Sequence, residues 1–458
     1  MKKSFLSDVP GCAPQLLAVV LGTLNAISDG MQFGWTSPMV PRFQTPDAPF
    51  QITETDVTWL EMTYMLSGIA GMPITIYLVD TIGRKKSVLL ASASCLIGWV
   101  LIGVADKVWY LYAGRLINGL AADIAFICSP MYVAEIAHQK IRGFLSGLIY
   151  VMVFGGILLI YSIGPFAPVY VPAMVGSGVL LIQLCTFPFM PESPYYLLYK
   201  DRKEEAKKSL MQLRGLEGPQ IEEELTDIAA AIARQKKETG RPLDLILVKS
   251  NRKAATIMTI LNAAQHMAGV TVITMNVHLI LTAAESIYLS PETSAILFGA
   301  VMLVATIICL LLIDMFGRKI LLINSALLSG ITLLTMAVFF HLKHNGVDVS
   351  AVSWIPIVCV MMFAAFFKSG LGIIPIVMTA ELFPAKIKAL GMGFADIVYI
   401  LFSSVSIYVY RYLVESIGIF FPFYIFSACC FLTGLFTFCF IPETKGKTLE
   451  EIQMILKK

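Results

Sequence analysis

Twelve stretches of this chain are too long and too apolar to sit anywhere but in a lipid bilayer. A helix needs roughly 20 apolar residues to cross the hydrocarbon core. Runs of that size lie near 15–37, 58–79, 87–105, 109–134, 143–164 and 170–190. Six more follow near 254–283, 294–313, 320–341, 352–380, 389–411 and 418–441. The run at 352–380 contains Gly370, Gly372 and Pro375 and has room for a broken helix. Only two extended polar stretches exist, at 198–253 and 443–458.

Of the 458 residues 14% are charged, against roughly 25% in a soluble protein. That is too little charge to cover a globular surface of this size, which excludes a cytosolic enzyme, a nucleic-acid binder and a disordered chain. The nine cysteines fall almost entirely inside apolar runs, where a thiol acts as a small hydrophobe, with neither zinc spacing nor a disulfide framework. The first run has no small-residue cleavage signature and reads as a retained helix. No nucleotide-binding glycine loop, zinc-protease or serine-hydrolase motif occurs, and the five histidines are scattered. No enzymatic activity, cofactor or metal is expected.

The basic residues orient the spans. With both termini cytoplasmic, Arg42, Lys107, Lys343 and Arg411 fall in outer loops and Arg115 and Lys368 within spans. The remainder of the 34 Lys and Arg lies inside, as the positive-inside rule requires. An odd span count would break that asymmetry over half the chain. The expected fold class is an all-α membrane protein of twelve transmembrane helices in two pseudo-symmetric six-helix halves. The N-half is 1–190, a small cytoplasmic helical linker is 191–253, and the C-half with its short cytoplasmic tail is 254–458. Within the linker, helical patterns cover Glu204–Arg214 and Gln220–Lys237; it reads as a solvated connector or as a latch on the inner span ends.

A repeat ties the halves together. Asp80-Thr-Ile-Gly83-Arg84-Lys85 follows the second span, and Asp314-Met-Phe-Gly317-Arg318-Lys319 follows the eighth. Matching motifs at matching points of two halves mark transporter folds, whose solute site lies at the midplane between them. The glycines permit tight turns, and the basic residues are expected to bridge to acids at neighbouring helix ends.

Five further motifs accompany the repeat: Gly114-Arg115, Pro130-Met-Tyr-Val-Ala-Glu135 with Arg142-Gly143, Pro191-Glu192-Ser193-Pro194, Glu381-Leu-Phe-Pro384 and Pro442-Glu443-Thr444-Lys445-Gly446. Together they resemble the sugar porter family of the major facilitator superfamily over nearly the whole chain. Trp35-Thr36-Ser37-Pro38 is most similar to the facilitated trehalose and glucose transporters of arthropods. The resemblance implies the major facilitator fold and a charge network that closes a cytoplasmic gate. Arg84, Glu135, Arg142 and Glu192 would form the network in one half, and Arg318, Glu381 and Glu443 in the other.

In the seventh span Asn262, Gln265, His266, Gly269 and Asn276 share roughly a third of a continuous helix's circumference. Such a polar stripe must face protein or water, and amides suit a neutral polyhydroxyl solute. The alternative is helix–helix hydrogen bonding. In the family this segment reads Gln-Gln, Gly, Asn and an aromatic. Here Gln265 keeps the first position, His266 takes the second, Thr271 replaces the Asn and Asn276 the aromatic. Tyr150 replaces a fifth-span Gln, Met302 an eighth-span Asn and Ile376 a tenth-span Trp. Tyr150, Gln265, His266, Thr271 and Asn276 are therefore the expected solute contacts, in a rewritten site.

Charges inside spans are functional candidates. Asp29 falls where proton-coupled relatives place an acid opposite an arginine matching Arg115. The pair would couple protons to transport or form a permanent structural contact. Lys368 and Asp396 sit at similar depth and are expected to pair. Lys368 with His266 is a second option, as an anion-accepting site. Asp123 has no evident partner.

The leading function is a secondary plasma-membrane transporter of a sugar (a hexose or a disaccharide such as glucose or trehalose). It would work by alternating access, facilitatively and as a monomer. The alternatives are a proton-coupled symporter of another small polar or anionic solute and, from a different class, a non-transporting sensor.

Overall fold

The computed structural model describes residues 11–46, 48–138, 140–237, 243–383, 387–445 and 449–457. Among these all regular secondary structure is helical, and twelve helices are long and apolar enough to cross a membrane. Six precede the linker: Cys12–Gly34, Glu54–Ile82, Arg84–Gly103, Val108–Ile136, Arg142–Ile163 and Val171–Phe189. Six follow it: Lys249–Ala284, Pro291–Leu310, Arg318–His344, Ser350–Lys368, Leu390–Ser416 and Phe420–Phe440. They are called spans 1 to 12 below.

The chain clusters into two compact units. One comprises 1–32, 67–157 and 167–239; the other comprises 33–66, 158–166 and 240–458. The second unit thus includes the distal part of span 1's extension (Thr36–Phe43), the first turns of span 2 and the end of span 5.

Three spans are interrupted. Span 1 breaks at Thr23, between Cys12–Gly22 and Leu24–Gly34. Span 10 ends at Lys368 and resumes as Ile374–Leu382, a break foreseeable from Gly370, Gly372 and Pro375. Span 7 also breaks, between Lys249–Met267 and Val270–Ala284, with Gly269 left-handed at φ +81°. That corrects the uniform 100° stripe assumed for Gln265 to Asn276, because a left-handed residue re-aims everything after it. Span 11 runs to Ser416, so Arg411, expected in an outer loop, is a buried helical residue.

The linker folds as Pro194–Tyr199, Lys203–Arg214 and Pro219–Lys237. Ser193 caps the first of these helices by accepting from the Tyr196 amide. Leu197, Ala206, Leu210, Ile221 and Leu225 bury a small apolar core. The linker docks on the span ends of its own unit: Arg214 donates to the Ile136 carbonyl (2.9 Å) and pairs with Glu224 (2.7 Å). Gln15 reaches the Leu213 carbonyl, and Ser209 donates to that of Glu192.

Candidate functional site

In the second unit the breaks of spans 7 and 10 meet. Gln265 donates through Nε2 to the Gly372 carbonyl at 3.2 Å, joining the end of one half-helix to the loosened backbone of the other. Ser325 braces that loosened segment, donating to the Phe367 carbonyl (3.3 Å) and accepting from the Leu371 amide (2.9 Å). The His266 ring is fixed twice, by a 2.9 Å hydrogen bond between Nδ1 and Thr271 Oγ1 and by edge-on contact with Tyr399 at 4.1 Å. Gln265 Oε1 and His266 Nε2 are buried with no hydrogen-bond partner among the described residues. An unmet buried polar atom costs about 1–3 kcal/mol unless a water or a ligand satisfies it.

Lys368 is buried at the C-terminal end of span 10's first half, its ammonium 5.7 Å from the Phe367 ring centre. It lies near enough to His266 and Cys309 for its charge to act on both. Asp396, its expected partner, is exposed on span 11. Asn262 donates to the Ala395 carbonyl at 3.0 Å. Thr271 also accepts from Ser403 at 3.3 Å.

Asn276 belongs to a different cluster. Its Oδ1 accepts from Arg411 at 2.6 Å, and Arg411 also pairs with Glu61 (3.4 Å) and Glu54 (3.3 Å) of span 2. The Glu61 side chain is 0% exposed. Neighbouring hydrogen bonds hold the same half-helix of span 7: Thr36 to the Met275 carbonyl, Ser37 to His278 at 2.7 Å, and Tyr161 to the Thr274 carbonyl. The sequence reading missed this lock. Its signal was available, since Glu61 is an acid inside an apolar run.

The first unit holds Tyr150, half-buried on span 5. Asp29 accepts from the Cys95 thiol (3.8 Å), and Arg115 donates to the Gln32 carbonyl and its side-chain oxygen. Asp123 is bonded by Thr75 at 2.7 Å.

The repeated loops form matching seats. Gly83 (φ +95°) and Gly317 (φ +85°) turn the chain into spans 3 and 9. Glu192 accepts from the Lys85 amide (3.1 Å), and Glu443 accepts from the Arg318 and Lys319 amides (both 3.0 Å). Each carboxylate therefore caps a helix N-terminus, where free N–H groups and the dipole favour negative charge. Lys85 and Lys319 in turn cap the Pro188 and Phe438 carbonyls at 2.6 and 2.8 Å. Arg84 pairs with Glu135 at 2.9 Å, and Ser193 donates to the same carboxylate. Arg142 instead reaches the Ala137 carbonyl at 3.4 Å. The Glu381 side chain lies outside the described residues.

Twelve spans, a motif repeated at matching points, and interrupted helices around buried unmet donors and acceptors define a membrane carrier of the two-half type. Comparison with known proteins narrows this. Residues 18–456 match the family described as Sugar (and other) transporter, and the chain belongs to that family. It is 30% identical over 446 residues to the facilitated trehalose transporter Tret1 of Bombyx mori, covering 96% of this chain and 86% of that one. It is 27% identical over 476 residues to the human solute carrier family 2, facilitated glucose transporter member 6, covering 96% and 91%. Among solved structures, the inward open xylose transporter XylE from E. coli superposes with a TM-score of 0.80 at 21% identity, covering 95% of this chain and 98% of that one. The protein is a multi-pass membrane transporter of the major facilitator fold.

Proposed function

We propose that this carrier moves a sugar, a hexose or a disaccharide of the glucose and trehalose kind, down its gradient by alternating access. The two relatives' names point to that class. The observation that carries the reading is the meeting of two broken spans at Gln265 and Gly372, where a glutamine oxygen and an imidazole nitrogen stay buried and unmet. Hydroxyl groups both donate and accept and so satisfy such atoms. Gln265, His266 and Thr271 would contact the solute in the second unit, and Tyr150, on span 5 of the first, is a separate candidate contact. Asn276 would act at its rim, through Arg411.

The protein works as a monomer in the plasma membrane with both termini cytoplasmic. Arg84, Glu135, Glu192, Arg318 and Glu443, with Arg142 and Glu381 beside them, form the cytoplasmic gate. Asp29, Arg115, Lys368 and Asp396 are, with Glu61, Asp123 and Arg411, charges placed inside the spans. In this facilitative reading Asp29 and Arg115 are fixed packing groups, and a proton gradient leaves uptake unchanged.

Purified protein in vesicles, given labelled glucose and trehalose, tests the proposal. Uptake should approach but never exceed the external concentration, and Gln265→Ala should slow it at least tenfold. Uptake no faster than in empty vesicles defeats the proposal. Accumulation driven by a pH gradient and lost in Asp29→Asn would replace it with coupled transport.

A further inference from the structure

Span 11 carries one exposed apolar stripe. Ile397, Leu401, Val405, Tyr408 and Tyr412 recur every three or four residues along it, and all are exposed. On a spanning helix such a stripe is covered by lipid, because aliphatic side chains avoid water and the bilayer is the other solvent at hand. Towards Ser416 the stripe meets Trp59 and Met62 of span 2, and the two helices border a groove of about 240 Å³ within the second unit. Trp59 and Tyr412 are exposed there near the ends of their spans, at the interfacial depth where amphipathic rings settle.

The groove is polar at one end and apolar at the other. Thr55 and Glu415 stand at the span ends, while Met62 and Tyr408 lie roughly 10 Å deeper, seven residues along each helix. That gradient matches a phospholipid lying along the helices with its head outward.

The charges and rings select the head. Arg411, on the groove wall, is already matched by Glu61 and Glu54. Glu415 is exposed and has no ion-pair partner among the described residues. Acids therefore outnumber the cation, which repels an anionic headgroup and attracts a cationic one. Ring faces attract cations, and they suit a quaternary ammonium best, since it has no N–H donor to satisfy. An ethanolamine head has three such donors and keeps more of them in water.

We propose that this groove binds phosphatidylcholine. Its trimethylammonium group lies among Trp59, Tyr412 and Glu415, and its chains run past Met62 and Tyr408. The inference goes beyond the sugar-carrier reading and holds whichever solute the carrier moves.

Full-length protein in maltoside detergent is titrated with chain-matched phosphatidylcholine, phosphatidylethanolamine and phosphatidylglycerol, and with free choline. Phosphatidylcholine should raise the melting temperature at a concentration roughly fivefold below that of either other lipid. Free choline should have no effect over the same range. Trp59→Leu keeps the bulk but removes the ring face, Glu415→Lys reverses the charge, and each should abolish the preference. If these variants fail to fold, a cross-link on the wild type decides the matter. Phosphatidylcholine with a photoreactive group near the head end of one chain should label 55–66 and 401–415, and unlabelled phosphatidylcholine should suppress that label more than phosphatidylglycerol does. A response to either other lipid, or to choline alone, as strong as that to phosphatidylcholine would overturn the proposal. So would an unchanged preference in either folded variant, or label absent from both segments.

Discussion

Glu192 and Glu443 sit over equivalent backbone amides, yet their carboxyls are pushed in opposite directions. Burial raises Glu192, outweighing the Ser193 and Lys85 amides and the Arg84 charge. Burial also works against Glu443, but amides of Lys445, Arg318, Lys319 and Thr444 together hold it below the usual range. A lowered Glu contributes stability above its unfolded value of about 4.3 and loses it as pH falls through the folded value. A raised one contributes in acid and loses stability as pH rises through its folded value. In melting curves, Glu443→Gln should therefore lessen the loss below about pH 4.3, and Glu192→Gln should remove a loss that grows above it. Shifts of the same sense in both variants would contradict this. The glycines are equally specific: a Cβ at Gly83 or Gly317 would lie 2.6 or 2.8 Å from the seated carboxylate, on backbone with positive φ. Gly83→Ala and Gly317→Ala should each cost about 1–3 kcal/mol, read as a drop in melting temperature. The repeat itself was visible in the sequence. The acids Glu135, Glu192 and Glu443 were named there too, but how they are held was legible only for Arg84 with Glu135, since Glu192 and Glu443 are seated on backbone N–H groups that no sequence displays.

At the scale of elements, span 7 is the informative case. Its polar residues were legible, but their arrangement was not, since one left-handed glycine in an otherwise helical pattern gives no periodic warning. A Cβ at Gly269 would lie 2.5 Å from the Phe426 ring, in a conformation that L residues avoid. Gly269→Ala should lower both the melting temperature and the sugar uptake rate; unchanged uptake would mean that the break is dispensable. The Arg411 lock supplies a second test. Removing one partner of a buried pair leaves the other uncompensated, at about 3–5 kcal/mol, whereas removing both costs less. Arg411→Gln should thus destabilise strongly, and adding Glu61→Gln should recover part of the loss. A double-mutant cycle with no coupling would show that the two charges are independent.

For the whole molecule, the number of spans and the helical linker followed directly from hydropathy and charge, the two properties that the bilayer itself selects. The side-chain geometry of the solute site did not, because it depends on two breaks and on long-range pairs such as Arg411 with Glu61. The linker's attachment is also tertiary. Arg214 is 5% exposed and ties Lys203–Arg214 to the Ile136 carbonyl and to Glu224. Arg214→Ala should speed tryptic cleavage between 200 and 237 several-fold, and an unchanged cleavage rate would show that other contacts suffice. The twin seats under Glu192 and Glu443 have one more effect. A dissolved oxyanion able to oust one glutamate from its berth would find the same berth in the opposite half. Such a species would therefore loosen the carrier at two places in a single titration.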